Sequence, residues 1–419
     1  MRKMKKQVII VGGGAAGMMA ALVARRQGAA VTILERNPRV GKKLLVTGNG
    51  RGNYTNIEVE LDCYYGNNPH FAADALAAFG SKETIAFFAD LGITPKVEEQ
   101  GRVIPLSEQA SSILDVLLYE LKAIGVEIVT EAFVRQIRKE GRSFHLKLED
   151  GRVYTGEAVI ITTGGKAMPS TGSDGNGYTL ATSFGHTVTK LFPALVQLKL
   201  EGPFFKQIQG VKVSGAAELF AEGRLVAKDR GDLLFANYGI SGPPILQLSR
   251  EAGRLLQEGR EPVLKITLLE KFSPEELTAL IRERFQRGAR KTLEFCLVGL
   301  INKRLIRVLL QEAGFTDLRR HAGEVSEGEQ QRIVQILQDW RFRVRGTKSW
   351  PSAQVTAGGV DTNELDPKTM ESKLVKGLFF AGEVIDLDGR CGGFNLQWAW
   401  SSGFVAGRAA ARQLLSRDG

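Results

Sequence analysis

"QVIIVGGGAAGMMAALVARRQG", Gln7 to Gly28, is the stretch on which the fold turns. Gln7–Val11 is a β-branched run of the kind found in a parallel strand buried on both faces. It leads into Gly12-Gly13-Gly14-Ala15-Ala16-Gly17 and then into a helical pattern closing at Gly28. Gly12, Gly14 and Gly17 satisfy G-x-G-x-x-G, where the glycines serve a tight turn, backbone access to a pyrophosphate, and close helix–strand packing. Ala15 and Ala16 open the helix, whose unpaired amides and positive dipole end suit an anion. A second strand, AVTILE, ends at Glu35, near the offset of about 20 residues expected for an acid that accepts both ribose hydroxyls. This context predicts a Rossmann-type βαβ unit holding the ADP half of a dinucleotide.

The next segment points to FAD rather than NAD. After Glu35-Arg36 comes GKKLLVTGNGRGNYTN, Gly41 to Asn56, a glycine- and asparagine-rich loop that a plain NAD site does not need. Such a loop can wrap under an isoalloxazine with free amides, with Thr47, Gly48 and Asn49 at its centre. Lys42, Lys43 and Arg51 can offset phosphate or flavin charge. A second marker is an alternating meander, Phe133–Ile137, Ser143–Leu148 and Arg152–Thr155, feeding EAVIITTGG and its turn at Thr163-Gly164-Gly165. A third is the strand KGLFFAGEV, Lys376–Val384, ending in Gly382-Glu383. Arg51, Asn53 and Asn56 are hydrogen-bond donors placed to tune flavin N5 or anchor a carbonyl.

VGGGAAG, LERN, GKKLLVTGNGRGNYTN, TTGG, TGSDGNGY, TAGGV and FFAGEVIDLDGRCGGFNLQWAWSSG occur in this order over nearly the whole chain. Together they resemble the YhiN/BaiN-type family of FAD flavoproteins. The resemblance implies an α/β protein with a Rossmann-like FAD-binding domain of glutathione-reductase and fumarate-reductase type, split by an insert. It implies an oxidoreductase that passes hydride through flavin N5, with NAD(P)H as a transient reductant. Val134, Thr163, Gly164 and Gly165 then belong to the adenine side, and Asp174 to a glycine turn beside the cofactor. Glu383, after Gly382, binds ribityl hydroxyls. The last helix aims its N-terminus at the pyrimidine edge of the flavin, with Gly392, Gly393, Phe394, Asn395 and Leu396 contributing. Asn395 and Gln397 offer further side-chain bonds, whereas Trp398 and Trp400 read as packing. Two departures matter: the family often has cysteine at Gly52, and a Thr-His pair at Ala236-Asn237. No role of those residues carries over.

Cys391 stays open. A thiol at a helix N-terminus beside Arg390 is a candidate redox group alongside Arg51 and Asn53, yet no CxxC partner exists and a structural reading stands next to it. Cys63 and Cys296 read as ordinary thiols. His70, His145, His186 and His321 are scattered without metal spacing, so no metal site is expected, and His186 reads as structural.

From about Leu191 the pattern changes. The expected division is an FAD-binding part over 1–190, an insert over 191–345, and the returning FAD-binding part over 346–419. Within the insert, short strands suggest a β-barrel over 191–270 and helical periodicity covers 271–345, with capping signals at Ser273 and Ser326. No second G-x-G-x-x-G is present, so the insert is expected to cover the flavin and shape a substrate pocket.

The net charge is +10 and the pI about 9.4. The insert carries 25 Lys and Arg against 19 Asp and Glu, densest in RERFQRGARK and KRLIR. These runs lack interleaved aromatics and a recognised motif, which favours solvated helices over a nucleic-acid surface. The expected substrate is a small, hydrophobic molecule. A flavin-dependent RNA-modifying enzyme and a non-catalytic redox sensor are the alternatives. No secretory pattern or membrane span is evident, so a cytoplasmic location is expected; oligomeric state is not legible.

Overall fold

Val8, Ile9, Ile10 and Val11 are all buried, as a strand sandwiched between helical layers requires. A computed structural model describes residues 6–416 of the chain, and in it Gln7–Val11 forms strand β1, followed by helix α1 (Ala15–Arg26) and strand β2 (Ala30–Leu34). β1 is the centre of a five-stranded parallel sheet. On one side it pairs with β2, which pairs with Glu127–Val129; on the other lie Ala158–Ile161 and then Leu378–Phe380. The strand order therefore reverses beside β1, and the crevice at its carboxyl end is where such sheets bind ligands.

The meander forms as the alternation predicts. Val134–Glu140, Ser143–Leu148 and Val153–Gly156 make an antiparallel three-stranded sheet. The long C-terminal helix, Phe394–Leu415, lies on α1 with almost no space between the backbones. A Cβ at Gly403 would sit 2.5 Å from the Ala16 carbonyl oxygen, and one at Gly407 would sit 2.4 Å from that of Ala20. These glycines and alanines recur every four residues, so each helix presents one small-residue stripe.

The chain divides into two compact units: residues 6–192 with 353–416, and residues 193–352. The second contains a closed six-stranded barrel, in the order Leu198–Leu200, Gly239–Ser241, Arg224–Ala236, Lys212–Ala221, Pro262–Thr267 and Trp340–Thr347. Trp340, Phe204, Phe235 and Phe342 fill its core.

Barrel and helices are not consecutive halves of this unit. The segment 191–270 includes the helix Pro243–Gln257, because Gly242 and two prolines at its first turn open a helix rather than extend a strand. The segment 271–345 includes the closing strand, whose W-R-F-R-V-R alternation buries every second side chain. Helices Pro274–Arg287 and Glu327–Gln338 begin at Ser273 and Ser326. In each, the serine Oγ accepts the amide of Glu276 or Glu329, and that glutamate accepts the serine's own amide. Among the described residues no helix is long and apolar enough to cross a membrane.

Candidate functional site

The β1–α1 turn uses each glycine differently. Gly12 has φ +106°, and a Cβ there would meet the Thr162 carbonyl oxygen at 2.7 Å. A Cβ on Gly17 would lie 2.0 Å from the Gly12 carbonyl oxygen. At Gly14 an added Cβ meets nothing within 4 Å. The helix N-terminus is thus walled in at Gly12 and Gly17 and open at Gly14, the shape a pyrophosphate needs to approach the backbone.

Glu35 is buried at the end of β2, 7% exposed. Its Oε2 accepts the Gly13 amide at 2.8 Å, and Oε1 accepts the Asn37 amide at 2.8 Å and Asn37 Nδ2 at 2.7 Å. The carboxylate is thereby locked against the glycine turn. Arg36 pairs with Asp174 at 2.5 Å and lies over the Phe133 ring, while Lys42 Nζ donates to the Ser170 carbonyl at 2.7 Å. Val134 is buried, and its carbonyl accepts Asn176 Nδ2 at 3.0 Å.

At the other end of the cradle several segments meet. Lys43 Nζ lies 2.6 Å from Glu383 Oε2, and Glu383 Oε1 accepts the Thr356 amide at 2.9 Å. A Cβ on Gly165 would lie 2.7 Å from that same Oε1, so the Thr163-Gly164-Gly165 turn abuts Glu383. Gly382 has φ +77°; its amide donates to Ser402 Oγ at 2.9 Å and its carbonyl accepts Trp398 Nε1 at 3.1 Å. The C-terminal helix therefore sets the conformation of the Gly382-Glu383 turn directly. The loop over Thr47, Gly48 and Asn49 holds two successive left-handed residues, Gly48 and Asn49, both at φ +56°.

Gly392 and Gly393 precede the C-terminal helix at φ +126° and +103°. A Cβ on Gly393 would lie 2.4 Å from the Thr55 carbonyl oxygen and 3.0 Å from Asn53 Oδ1. Asn53 Oδ1 is buried with no hydrogen-bond partner. An open helix N-terminus, a cradle that side chains would fill and an orphaned polar atom at its far end fit an elongated, anionic dinucleotide.

Several candidate residues bond within the protein. Asn56 Nδ2 donates to the carbonyls of Gly392 and Gln100, both at 2.9 Å. Asn395 Oδ1 accepts the Gly389 amide, and its Nδ2 donates to the Gly389 and Arg390 carbonyls. Gln397 is fully buried and bonds to Thr55, Phe79 and Ser401. The donors of these amides are therefore spent on backbone and neighbouring side chains. Phe394 is buried edge-on to Tyr64, whose hydroxyl donates to the Phe394 carbonyl at 3.1 Å, and Leu396 is half-buried on the first turn. Arg51 forms a two-point pair with Glu98 and reaches Glu108 at 3.1 Å; its guanidinium holds the Glu98 carboxyl below the usual range. Gly52, at φ +75°, would place a Cβ 2.8 Å from Ala110 Cα, so the loop leaves no room for a side chain there.

Cys391 is exposed, and the three cysteines form no disulfide. Trp398 and Trp400 do more than pack, since Trp400 Nε1 donates to the Tyr54 carbonyl at 2.9 Å while Trp398 anchors Gly382. Their proximity to a flavin-type glycine pair was the available signal for this.

His186 is structural in geometry. Nδ1 faces Glu364 Oε2 and Nε2 faces Ser372 Oγ, both at 2.8 Å. Ser372 Oγ also accepts the amides of Leu374 and Val375, so its proton goes to Nε2 and Nδ1–H donates to Glu364. Burial pushes the imidazole pKa down, against the opposing pull of Glu364. The unfolded chain, with a histidine pKa of about 6.5, then takes up the proton first as pH falls. Stability is expected to be full above about pH 6.5 and to decline below it. Urea titrations from pH 7.5 to 5.5 check this; a His186→Gln variant should show a shallower decline, and an equal one would refute the assignment.

The fold is that of a Rossmann-type FAD-binding flavoprotein, and the family and relatives make it an FAD-dependent oxidoreductase. The family model described as "HI0933-like protein Rossmann domain" matches residues 6–409, and the chain belongs to that family. It is 38% identical over 387 residues to the 3-dehydro-bile acid delta(4,6)-reductase of Clostridium scindens, covering 92% of this chain and 93% of that protein. It is also 34% identical to the ribosomal RNA dihydrouridine synthase of Escherichia coli, covering 90% and 91% of the two chains. The corresponding protein of Haemophilus influenzae is 32% identical, with 92% and 94% covered.

Proposed function

We propose that this protein reduces a carbon–carbon double bond conjugated to a carbonyl in a small, hydrophobic substrate, with NAD(P)H as the transient reductant, in a cytoplasmic setting. The activities named for its relatives support this, because a 3-dehydro delta(4,6) steroid and a uracil ring both present such a bond. Bound FAD supplies hydride transfer through N5. The chain's own residues bind and orient: Gly12, Gly14, Ala15, Ala16 and Gly17 with Glu35 at one end, and Lys43, Gly382 and Glu383 at the other. Asn53 and the amides at Gly392 and Gly393 are assigned to the far end. The observation that carries the reading is the pair of left-handed glycines, Gly392 and Gly393, at the N-terminus of the C-terminal helix. Fixed amides and a positive dipole end stabilise negative charge that develops there without reorganisation.

The second reading, action on RNA, rests on the two dihydrouridine synthases. The densest basic run gives it less support. Arg284 donates to the Cys296 and Val298 carbonyls, Arg282 pairs with Glu327, and Arg287 with Glu283. Anaerobic stopped-flow mixing tests both. NADH or NADPH is expected to bleach the flavin band, and a conjugated steroid enone to restore it. Restoration by unmodified ribosomal RNA alone would establish the second reading, and restoration by neither would overturn both.

A further inference from the structure

The segment 41–56 is tied into the cradle at three points. The Gly41 amide donates to the Gly13 carbonyl at 2.8 Å, Lys43 Nζ lies 2.6 Å from Glu383, and Asn56 Nδ2 reaches the Gly392 carbonyl at 2.9 Å. Between the last two ties runs the turn 47–52. Gly48, Asn49, Gly50 and Gly52 all have positive φ, from +56° to +83°, and the first three are exposed. A turn so rich in glycine has many competing shapes, and something outside it must select one.

Arg51 supplies that tie. Thr47 Oγ1 donates to the Leu44 carbonyl just upstream. Among the described residues, the other hydrogen bonds leading from 47–52 to the rest of the chain are those of the Arg51 guanidinium. It takes both Glu98 oxygens, and its Nε donates to Glu108 Oε2 at 3.1 Å. Lys96 pairs with Glu108 in turn and lies 3.9 Å from Glu98, so four alternating charges close a ring.

The two carboxylates come from elsewhere in the chain. Glu98 follows the strand Pro95–Val97, and Glu108 precedes the helix Ala110–Ala123. Arg51 holds the Glu98 carboxyl below its usual range, and Lys96 followed by Arg51 does so for Glu108. Both are therefore ionised at neutral pH. Exposed ion pairs usually hold little, but a two-point arginine pair inside a network is the arrangement that does fix geometry.

We propose that Glu98 and Glu108 are positioning residues for the cofactor: by capturing Arg51 they hold the 47–52 turn in its left-handed shape, and FAD is retained only as firmly as this ring keeps the turn in place. This rests on the FAD reading of the site, not on the identity of the substrate. The sign of the effect separates it from simple electrostatics. FAD carries an anionic pyrophosphate, so removing a nearby carboxylate should by charge alone slow its release. Loss of the ring speeds it.

The test uses the full-length protein loaded with FAD, with release followed by the rise of free-flavin fluorescence after dilution, and thermal unfolding of the flavin-free forms. Glu98→Gln is expected to release FAD about fivefold faster than wild type. Glu108→Gln should have a smaller effect in the same direction, because only one of its oxygens meets Arg51. The flavin-free variants should melt within about 3 °C of wild type, since partly exposed charge pairs contribute little to the fold. Release from Glu98→Gln that is slower than wild type or within twofold of it would overturn the proposal. Faster release joined to a larger loss of flavin-free stability would assign the ring to the fold and overturn it as well. If wild-type protein takes up no FAD, the site reading itself fails; if it does and the variants release it normally, this assignment alone fails.

Discussion

Gly17→Ala protein is expected to be purified without FAD and to lose at least about a hundredfold in FAD affinity on reconstitution. The new methyl carbon would lie 2.0 Å from the Gly12 carbonyl oxygen and 2.7 Å from Thr162 Oγ1. Neither atom can step aside cheaply. Thr162 Oγ1 donates to the carbonyls of Val11 and Gly12, and Val11 is paired with Ile161 in the central sheet. Overpacking against flexible side chains costs about 1–3 kcal/mol, and against backbone the upper end or more applies. About 3 kcal/mol corresponds to more than two decades of affinity if the strain falls on the turn that binds the pyrophosphate. Gly28→Ala is the matched control. Gly28 has φ +100° but nothing within 4 Å of the added carbon, so it should lose some stability and keep its flavin. The ratio of flavin absorbance to protein decides the matter. Stoichiometric FAD in Gly17→Ala would show that the turn yields, and that the glycine is not there for close packing.

Gly403→Leu should be among the severely destabilising changes in the C-terminal helix. An added Cβ would lie 2.5 Å from the Ala16 carbonyl oxygen and 3.2 Å from its Cα, so the two helices must part. A loss of at least about 3 kcal/mol in urea unfolding is expected, in the range of severe core overpacking. The effect should also reach FAD. Ser402 Oγ accepts the Gly382 amide, and Trp398 Nε1 donates to the Gly382 carbonyl, so displacing the helix dismantles the turn that presents Glu383. Faster FAD dissociation should therefore accompany the lost stability. Gly403→Leu with native stability and wild-type FAD retention would mean that the stripe is not in contact in solution.

Much of this was legible locally. The βαβ unit, the meander and both serine-capped helices depend on φ preferences, side-chain periodicity and capping within a few residues, which sequence displays directly. The closing strand of the barrel carried its alternation in plain view at Trp340–Arg345, but it follows four helices, and its partner strands lie at Leu198–Leu200 and Pro262–Thr267. Local pattern cannot say which distant edge a strand completes. Arg51 shows the same limit: its residue type suits a flavin site, yet Glu98 and Glu108 are the charges that capture it.

The sequence by itself determined the glycine turn at the head of a parallel sheet and pointed to FAD as the cofactor. Those conclusions rest on backbone conformations that only glycine adopts easily and on the fixed spacing of a βαβ unit. Tertiary structure alone decided which polar side chains are available to a ligand. Asn56 reaches Gly392 across 336 residues, Trp400 reaches Tyr54 across 346, and Lys43 finds Glu383 across 340. A side chain's hydrogen-bonding capacity is spent on whichever groups folding brings within about 3 Å, and separation along the chain carries no record of that choice.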